Sequence, residues 1–232
     1  MKFFFSSPCI YLLVLLFTGF NYAQPKIQLD KTKIELGTIY QGEIKIIQLI
    51  VSNTGTTPLV ITRVQPSCGC TSVKNIVQPI APSASDTIKV SFNSLGFEGT
   101  IHKSVSIQSN DSVKPYIEAM FTGSVASELE TVPKMQIINF GTPWGSADSS
   151  TSLLFKNTSN ESLTLLEVSC ADSTVRAQIG HGRAKQVKPQ DTVRVSFTIT
   201  PRSPWSVNNT FYVITTSPRQ PRVPFRFMYG GR

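Results

Sequence analysis

Asn53 to Thr71 reads NTGTTPLVITRVQPSCGCT. It ends one apolar strand, turns, runs a second strand and closes on Cys68-Gly69-Cys70. Asn-Thr-Gly is turn chemistry, because Gly55 takes a positive φ without strain. Leu59 and Ile61 resume the alternation, and Pro66 ends it because proline has no N–H to donate. A weaker copy, NTSNESLTLLEVSC, runs from Asn157 to Cys170.

The copy extends beyond that stretch. Asn53 and Asn157, Val64 and Val168, and Leu36-Gly37-Thr38 and Phe140-Gly141-Thr142 are all 104 residues apart. Asp86-Thr87-Ile88-Lys89-Val90-Ser91-Phe92 matches Asp191-Thr192-Val193-Arg194-Val195-Ser196-Phe197 at 105. A period this long belongs to a tandem pair of domains, not to a solenoid. A linker is expected over residues 126–131, around Glu128 and Glu130.

Within the first copy the segments alternate with period two. Ile27 to Leu36 reads as a broken edge segment and Glu43 to Asn53 as a long strand. Leu49, Val51 and Asn53 face inward; Gln48, Ile50 and Ser52 face outward. Ile50 is a misfit there unless a neighbouring segment covers it. Thr87 to Phe92, Ile101 to Gln108 and Tyr116 to Gly123 follow. Short alternating strands between turn signals describe a β-sandwich.

The N-terminus carries a different signal. Lys2, an apolar run from Ile10 to Phe17 and a small Ala23 form a secretory signal over residues 1–23, with Cys9 inside it. No later stretch has the roughly 18 consecutive apolar residues of a membrane span. Export to the periplasm or cell surface is therefore expected, a setting that permits disulfides. Cys68, Cys70 and Cys170 remain after cleavage, so at least one thiol lacks an intramolecular partner.

N-T-G-x-x-P-L at 53–59, S-C-G-C-T at 67–71, D-T-I-K-V-S-F at 86–92 and the strand ending Ser109-Asn110-Asp111 together resemble the DUF1573 family. The resemblance covers about Ile34 to Val125. It implies an immunoglobulin-like sandwich similar to ASH/MSP/Hydin-type domains, found in exported proteins of Gram-negative bacteria, with no defined biochemical activity. The second copy departs from the pattern: Ser159 replaces the Gly, Ser162 the Pro, and Cys170-Ala171-Asp172 stands for Cys-Gly-Cys-Thr. The expected architecture is all-β: two tandem immunoglobulin-like β-sandwich domains after a cleaved signal peptide, spanning residues 27–125 and 132–230.

Cys68-Gly69-Cys70 is the sharpest chemical feature, and three readings fit it. The sulfurs form a small-ring disulfide open to thiol exchange, bind a soft metal such as Cu(I) as two thiolates, or pack the sandwich end as small apolar groups. Zinc needs more ligands than the sequence supplies, since His102 and His181 are single and far apart. A Cys68–Cys170 bond is not expected, because equivalent loops of successive sandwiches sit a domain length apart. No G-x-S-x-G, H-E-x-x-H or G-x-x-x-x-G-K-[ST] motif occurs, so neither an enzyme nor a cofactor is expected.

Charge is uneven within a net +8. Residues 27–125 hold 8 Lys/Arg against 7 Asp/Glu, whereas 12 face 5 from Val132 onward. Arg219, Arg222 and Arg226 crowd the last strand, either attracting an anionic surface polymer or protecting a sheet edge. Trp144 and Trp205 near turns read as packing residues. Nucleic acid is not an expected partner. The functional expectation is a non-catalytic adaptor of the cell envelope, its partner an envelope protein or anionic polymer; thiol or copper chemistry at Cys68 and Cys70 is the rival.

Overall fold

A computed structural model describes residues 23–74, 76–142, 148–200 and 207–230. The export segment expected over residues 1–23 lies outside this range except for Ala23, and Trp144 and Trp205 lie outside it too. Among the described residues no helix is long and apolar enough to cross a membrane. The regular elements are strands.

Two sheets face each other in the first half. One orders β1 (Ile27–Leu29), β3 (Ile44–Asn53), β6 (Ser85–Asn93) and β5 (Thr71–Lys74) as β1-β3-β6-β5. The other orders β2 (Lys33–Tyr40), β8 (Tyr116–Ala126), β7 (Gly99–Ser109) and β4 (Ile61–Pro66) as β2-β8-β7-β4. The broken segment at the start thus supplies one edge strand to each sheet. Pairing is antiparallel except between β2 and β8. Alternation places Leu49, Val51, Ile88, Val90, Phe92, Val105, Ile107 and Phe121 in one buried cluster between the sheets.

The second half repeats this order. β9 (Leu129–Val132), β11 (Ser149–Asn157), β15 (Thr192–Ile199) and β13 (Val175–Ile179) form the sheet β13-β15-β11-β9. β10 (Ile138–Asn139), β17 (Arg222–Tyr229), β16 (Val207–Thr215), β12 (Leu163–Cys170) and β14 (Lys185–Val187) form the other. A separate buried cluster, centred on Phe155, Phe197, Phe211 and Phe227, fills the space between them. Gly37, at the irregularity within β2, and Gly141, just past β10, have φ of 67° and 76°, a conformation that penalises any Cβ.

Register corrects two sequence readings. Leu49 faces Ile88 and Leu153 faces Val195, so Ile88 corresponds to Val195, 107 residues on rather than 105. Ser83 and Gln190, both at positive φ, also sit 107 apart and donate to the Asn53 and Asn157 carbonyls. The two-residue slide preserves which face points inward, and extra residues around the β13–β14 turn absorb it. Half of the expected linker at 126–131 is β9 and its first residue ends β8: Leu129 and Thr131 are buried and pair with Asn157 and Phe155. Its two glutamates masked that alternation.

Asn53 and Asn157 are fully buried and make matched contacts. The Asn53 Nδ2 donates to the carbonyls of Thr57 at 2.8 Å and Ile80 at 2.9 Å, and Oδ1 accepts from the Gly55 N–H at 2.9 Å. Asn157 repeats this with Glu161 at 2.7 Å, Val187 at 2.9 Å and Ser159 at 2.9 Å. One amide thereby closes the turn and ties it to the segment crossing beneath. Gly55 serves by close approach rather than by positive φ: a Cβ there would collide with the backbone of Gln24 to Lys26.

Asp111 is a second buried anchor. Its carboxylate accepts from the N–H groups of Ile27 at 2.9 Å, Val113 at 2.8 Å and Lys114 at 3.0 Å. Burial pushes its carboxyl up, but these donors and the nearby Lys26 charge outweigh that, and the net shift is below the usual 3.8. In the second half Ser217 Oγ accepts from the Arg219 and Gln220 N–H groups at 3.1 and 3.2 Å.

Asn53→Ala or Asn157→Ala removes four hydrogen bonds at a fully buried amide; each is expected to cost about 2–4 kcal/mol, read as a lower urea midpoint. A lowered carboxyl stabilises the fold fully above the unfolded pKa and loses that contribution as pH falls through the folded value. Asp111→Asn is therefore expected to flatten the loss of stability between about pH 5 and pH 2, measured by urea unfolding across that range.

Candidate functional site

The crossover from β4 to β5 carries the Cys-Gly-Cys. Pro66 ends pairing in one sheet and Thr71 begins it in the other, so four residues carry the chain between layers. Ser67 and Ser104 hold the departure: the Ser67 N–H donates to the Ser104 carbonyl at 2.9 Å, and the Ser104 N–H to Ser67 Oγ at 3.0 Å. Cys68 and Cys70 are joined as a disulfide with Cα atoms 5.3 Å apart. The Thr71 N–H donates to the Cys68 carbonyl at 3.3 Å, and the Asn93 N–H to the Cys70 carbonyl at 3.0 Å. A side chain at Gly69 would meet open space. Bonded to each other, the sulfurs have no thiolate to offer a soft metal.

The matching corner of the second half corrects the sequence alignment. Cys170 faces Phe211 as Pro66 faces Val105, so it stands in the place of Pro66 and not of Cys68. Asp172 and Thr174 occupy the places of Cys68 and Cys70. Thr174 donates to Asp172 Oδ1 through its hydroxyl at 2.6 Å and its N–H at 2.9 Å. The Val175 N–H donates to the Asp172 carbonyl at 3.1 Å, as Thr71 does to Cys68. A side-chain hydrogen bond spans the same two-residue step that the disulfide spans. Cys170 is a free thiol, half-buried, its pKa pushed up by burial.

The three arginines do separate work. Arg219 pairs with the buried Glu128 at 2.8 Å and the exposed Glu161 at 3.2 Å, and the hydrogen bond to Glu128 raises its pKa. Arg222 lies over the Tyr212 ring, 4.3 Å from its centroid. Arg226 reaches across Gly96 in the first half. Of the three arginines expected to meet an anionic partner, Arg219 has its charge met from within the chain, while Arg222 and Arg226 share β17.

Arg226 lines a cleft of about 260 Å³ between the halves, with Phe97, Leu129, Lys134, Met135 and Phe225. Lys134 pairs there with Glu98 and, at 3.1 Å, with Glu130; the Glu98 hydrogen bond raises its pKa. Gln220, buried, accepts from the Glu128 N–H at 2.8 Å and donates to the Gln41 carbonyl at 2.9 Å. Sequence reasoning missed Gln220 and Glu128, which have no motif and declare themselves only through burial. Among the described residues no three His, Cys, Asp or Glu side chains gather as metal ligands.

A disulfide closing so short a loop contributes roughly 1.5 kcal/mol by chain entropy, and a side-chain hydrogen bond about 0.5–1.5 kcal/mol. Cys68→Asp with Cys70→Thr is therefore expected to keep the fold, with a melting temperature lowered by no more than about 8 °C. Thiol alkylation of the unfolded, non-reduced protein is expected to modify Cys170 and to leave Cys68 and Cys70 untouched.

No curated protein matches the chain. A family model described as a protein of unknown function, DUF1573, matches residues 27–125. Among solved structures, a protein of unknown function from Porphyromonas gingivalis W83 is 12% identical, covering 88% of this chain and 99% of its own, with a TM-score of 0.36. The ASH/PapD-like domain 7 of human CEP192 is 13% identical over 52% of this chain and 99% of its own, with a TM-score of 0.37. The native conformation of E. coli alpha-2-macroglobulin aligns with 90% of this chain and 17% of its own at 8% identity and a TM-score of 0.51, a likeness of fold alone. The stretch that resembles DUF1573, residues 27–125, is thus the half that carries the crossover disulfide.

Proposed function

We propose that the chain is an exported, non-catalytic binding module of the cell envelope, built from two copies of one immunoglobulin-like sandwich, that holds a partner polypeptide by strand addition. The N-terminal apolar segment and the disulfide support export. The repeated strand order and the two separate cores support duplication. Among the described residues the chemistry-bearing side chains are scattered or paired with one another, which supports binding rather than catalysis.

One observation carries the reading: β5 is an edge strand with its start fixed and its outer side open. It pairs with β6 alone. Because the Asn93 N–H donates to the Cys70 carbonyl, antiparallel alternation turns the N–H groups of Ser72 and Lys74 toward β6 and that of Val73 outward. Such an edge is a template for an added strand, with main-chain hydrogen bonds giving affinity and alternate side chains giving specificity. The disulfide holds the first residue of that template in place.

Val73→Pro removes the outward N–H while leaving the β5–β6 hydrogen bonds in place. The unaltered chain, immobilised, is expected to retain an envelope protein that the Val73→Pro chain loses by about tenfold or more. Equal retention by both, at matched melting temperature, counts against strand addition at β5.

A further inference from the structure

We infer that the outer face of the β1-β3-β6-β5 sheet is a docking surface for an acidic, amphipathic polypeptide. Ile44, Ile46 and Ile50 point outward from β3 and are 60%, 62% and 44% exposed. An apolar row this long on a solvated face marks an interaction site. The fold does not demand it. The matched positions of Ile44 and Ile46 in the second half are Asp148, just before β11, and Ser150, on it; Ile50 alone has an apolar match, the half-buried Leu154.

Charge on this face identifies the occupant. Lys74 lies directly opposite Lys89, and Lys89 directly opposite Gln48, between Ile46 and Ile50. Like charges directly opposite destabilise a sheet unless something answers them. Among the described residues neither lysine forms an ion pair. The outward positions paired along β3, β6 and β5 carry Ile, Ser, Thr, Asn, Gln and Lys; the carboxylate beside them, Asp30, lies at the β1 end against Ile50, accepts its N–H and pairs with Lys31, away from Lys89 and Lys74. A second copy of the same face brings two more lysines and no carboxylate beside Lys74 and Lys89, so it answers their charge less well than an acidic chain does.

Shape favours a polypeptide over a membrane. Beside Ile44 the face sinks into a hollow of about 360 Å³, lined by Gly69, Cys70, Ser91, Asn93 and Leu95. A bilayer receives protruding apolar side chains, whereas a hollow receives one. The flanking serines and asparagine offer hydrogen bonds that a peptide backbone satisfies and lipid tails do not. The occupant thus places an apolar side chain in the hollow beside the disulfide and carboxylates over Lys89 and Lys74. This site is separate from the open edge of β5, which reads backbone rather than side chains.

The test titrates the full chain with labelled synthetic peptides of alternating Glu-Leu and alternating Lys-Leu, and with vesicles of anionic phospholipid. Two variants are compared at matched melting temperature: Ile44→Asp with Ile46→Ser, and Lys74→Glu with Lys89→Glu. Saturable binding of the Glu-Leu peptide is expected, weakened about tenfold or more by each variant and by added salt. The lysine-reversed variant is expected to prefer the Lys-Leu peptide, a gain that misfolding does not produce. Unchanged Glu-Leu binding in both variants overturns the inference, as does binding to vesicles but not to peptide. Loss of peptide binding in Val73→Pro alone assigns the peptide to the β5 edge and overturns the face while leaving strand addition intact.

Discussion

Each half of this protein turns on a buried asparagine amide. A sandwich must bring the turn after its long strand against the segment that returns beneath it, and both present carbonyls with a lone pair still to be met. The side chains of Asn53 and Asn157 each meet two such carbonyls with one NH₂ and a turn N–H with their oxygen. A hydrophobic residue fills the same volume but forfeits these buried hydrogen bonds, which costs more than the packing returns. The flanking residues have changed, Gly55 to Ser159 and Pro58 to Ser162, while the amide geometry has not.

The crossover between layers solves its own problem in two chemistries. In the first half a covalent bond joins residues 68 and 70; in the second, Thr174 hydrogen-bonds Asp172 across the same step. The geometry asks only that the chain be held in a tight bend before the edge strand begins. Short-loop disulfide and buried hydrogen bond differ little in strength, so the corner tolerates exchange of one for the other. That equivalence argues for a clamp and explains why the second copy keeps its fold without the cysteine pair.

Strand identity and facing were legible in the sequence because alternation reports them directly: Leu49, Val51 and Asn53 are buried and Ile50 is exposed, as period two requires. Register was not legible. The match between Asp86–Phe92 and Asp191–Phe197 is two residues from the true correspondence, and a slide of two leaves every side chain on its original face. For the same reason Cys170 looked like a remnant of Cys68 when it stands where Pro66 does. Glu128 and Glu130 looked like linker because charge is a proxy for exposure; Glu128 is buried with its charge answered by Arg219, 91 residues away in sequence. Ile50 was legible as a misfit, whereas Ile44 and Ile46 were not singled out and show as outward and uncovered only in the structure.

Between the end of β8 at Ala126 and the start of β9 at Leu129 lie two residues, and both are held. The Ser127 carbonyl accepts from the Thr158 hydroxyl at 2.7 Å, and Glu128 is gripped by Gln220, Arg219 and the Thr158 N–H. A joint needs slack, and this one has none. The tether therefore works as a splice rather than a swivel: tension applied at one end travels along the backbone of β8 into β9 without first unreeling a loop.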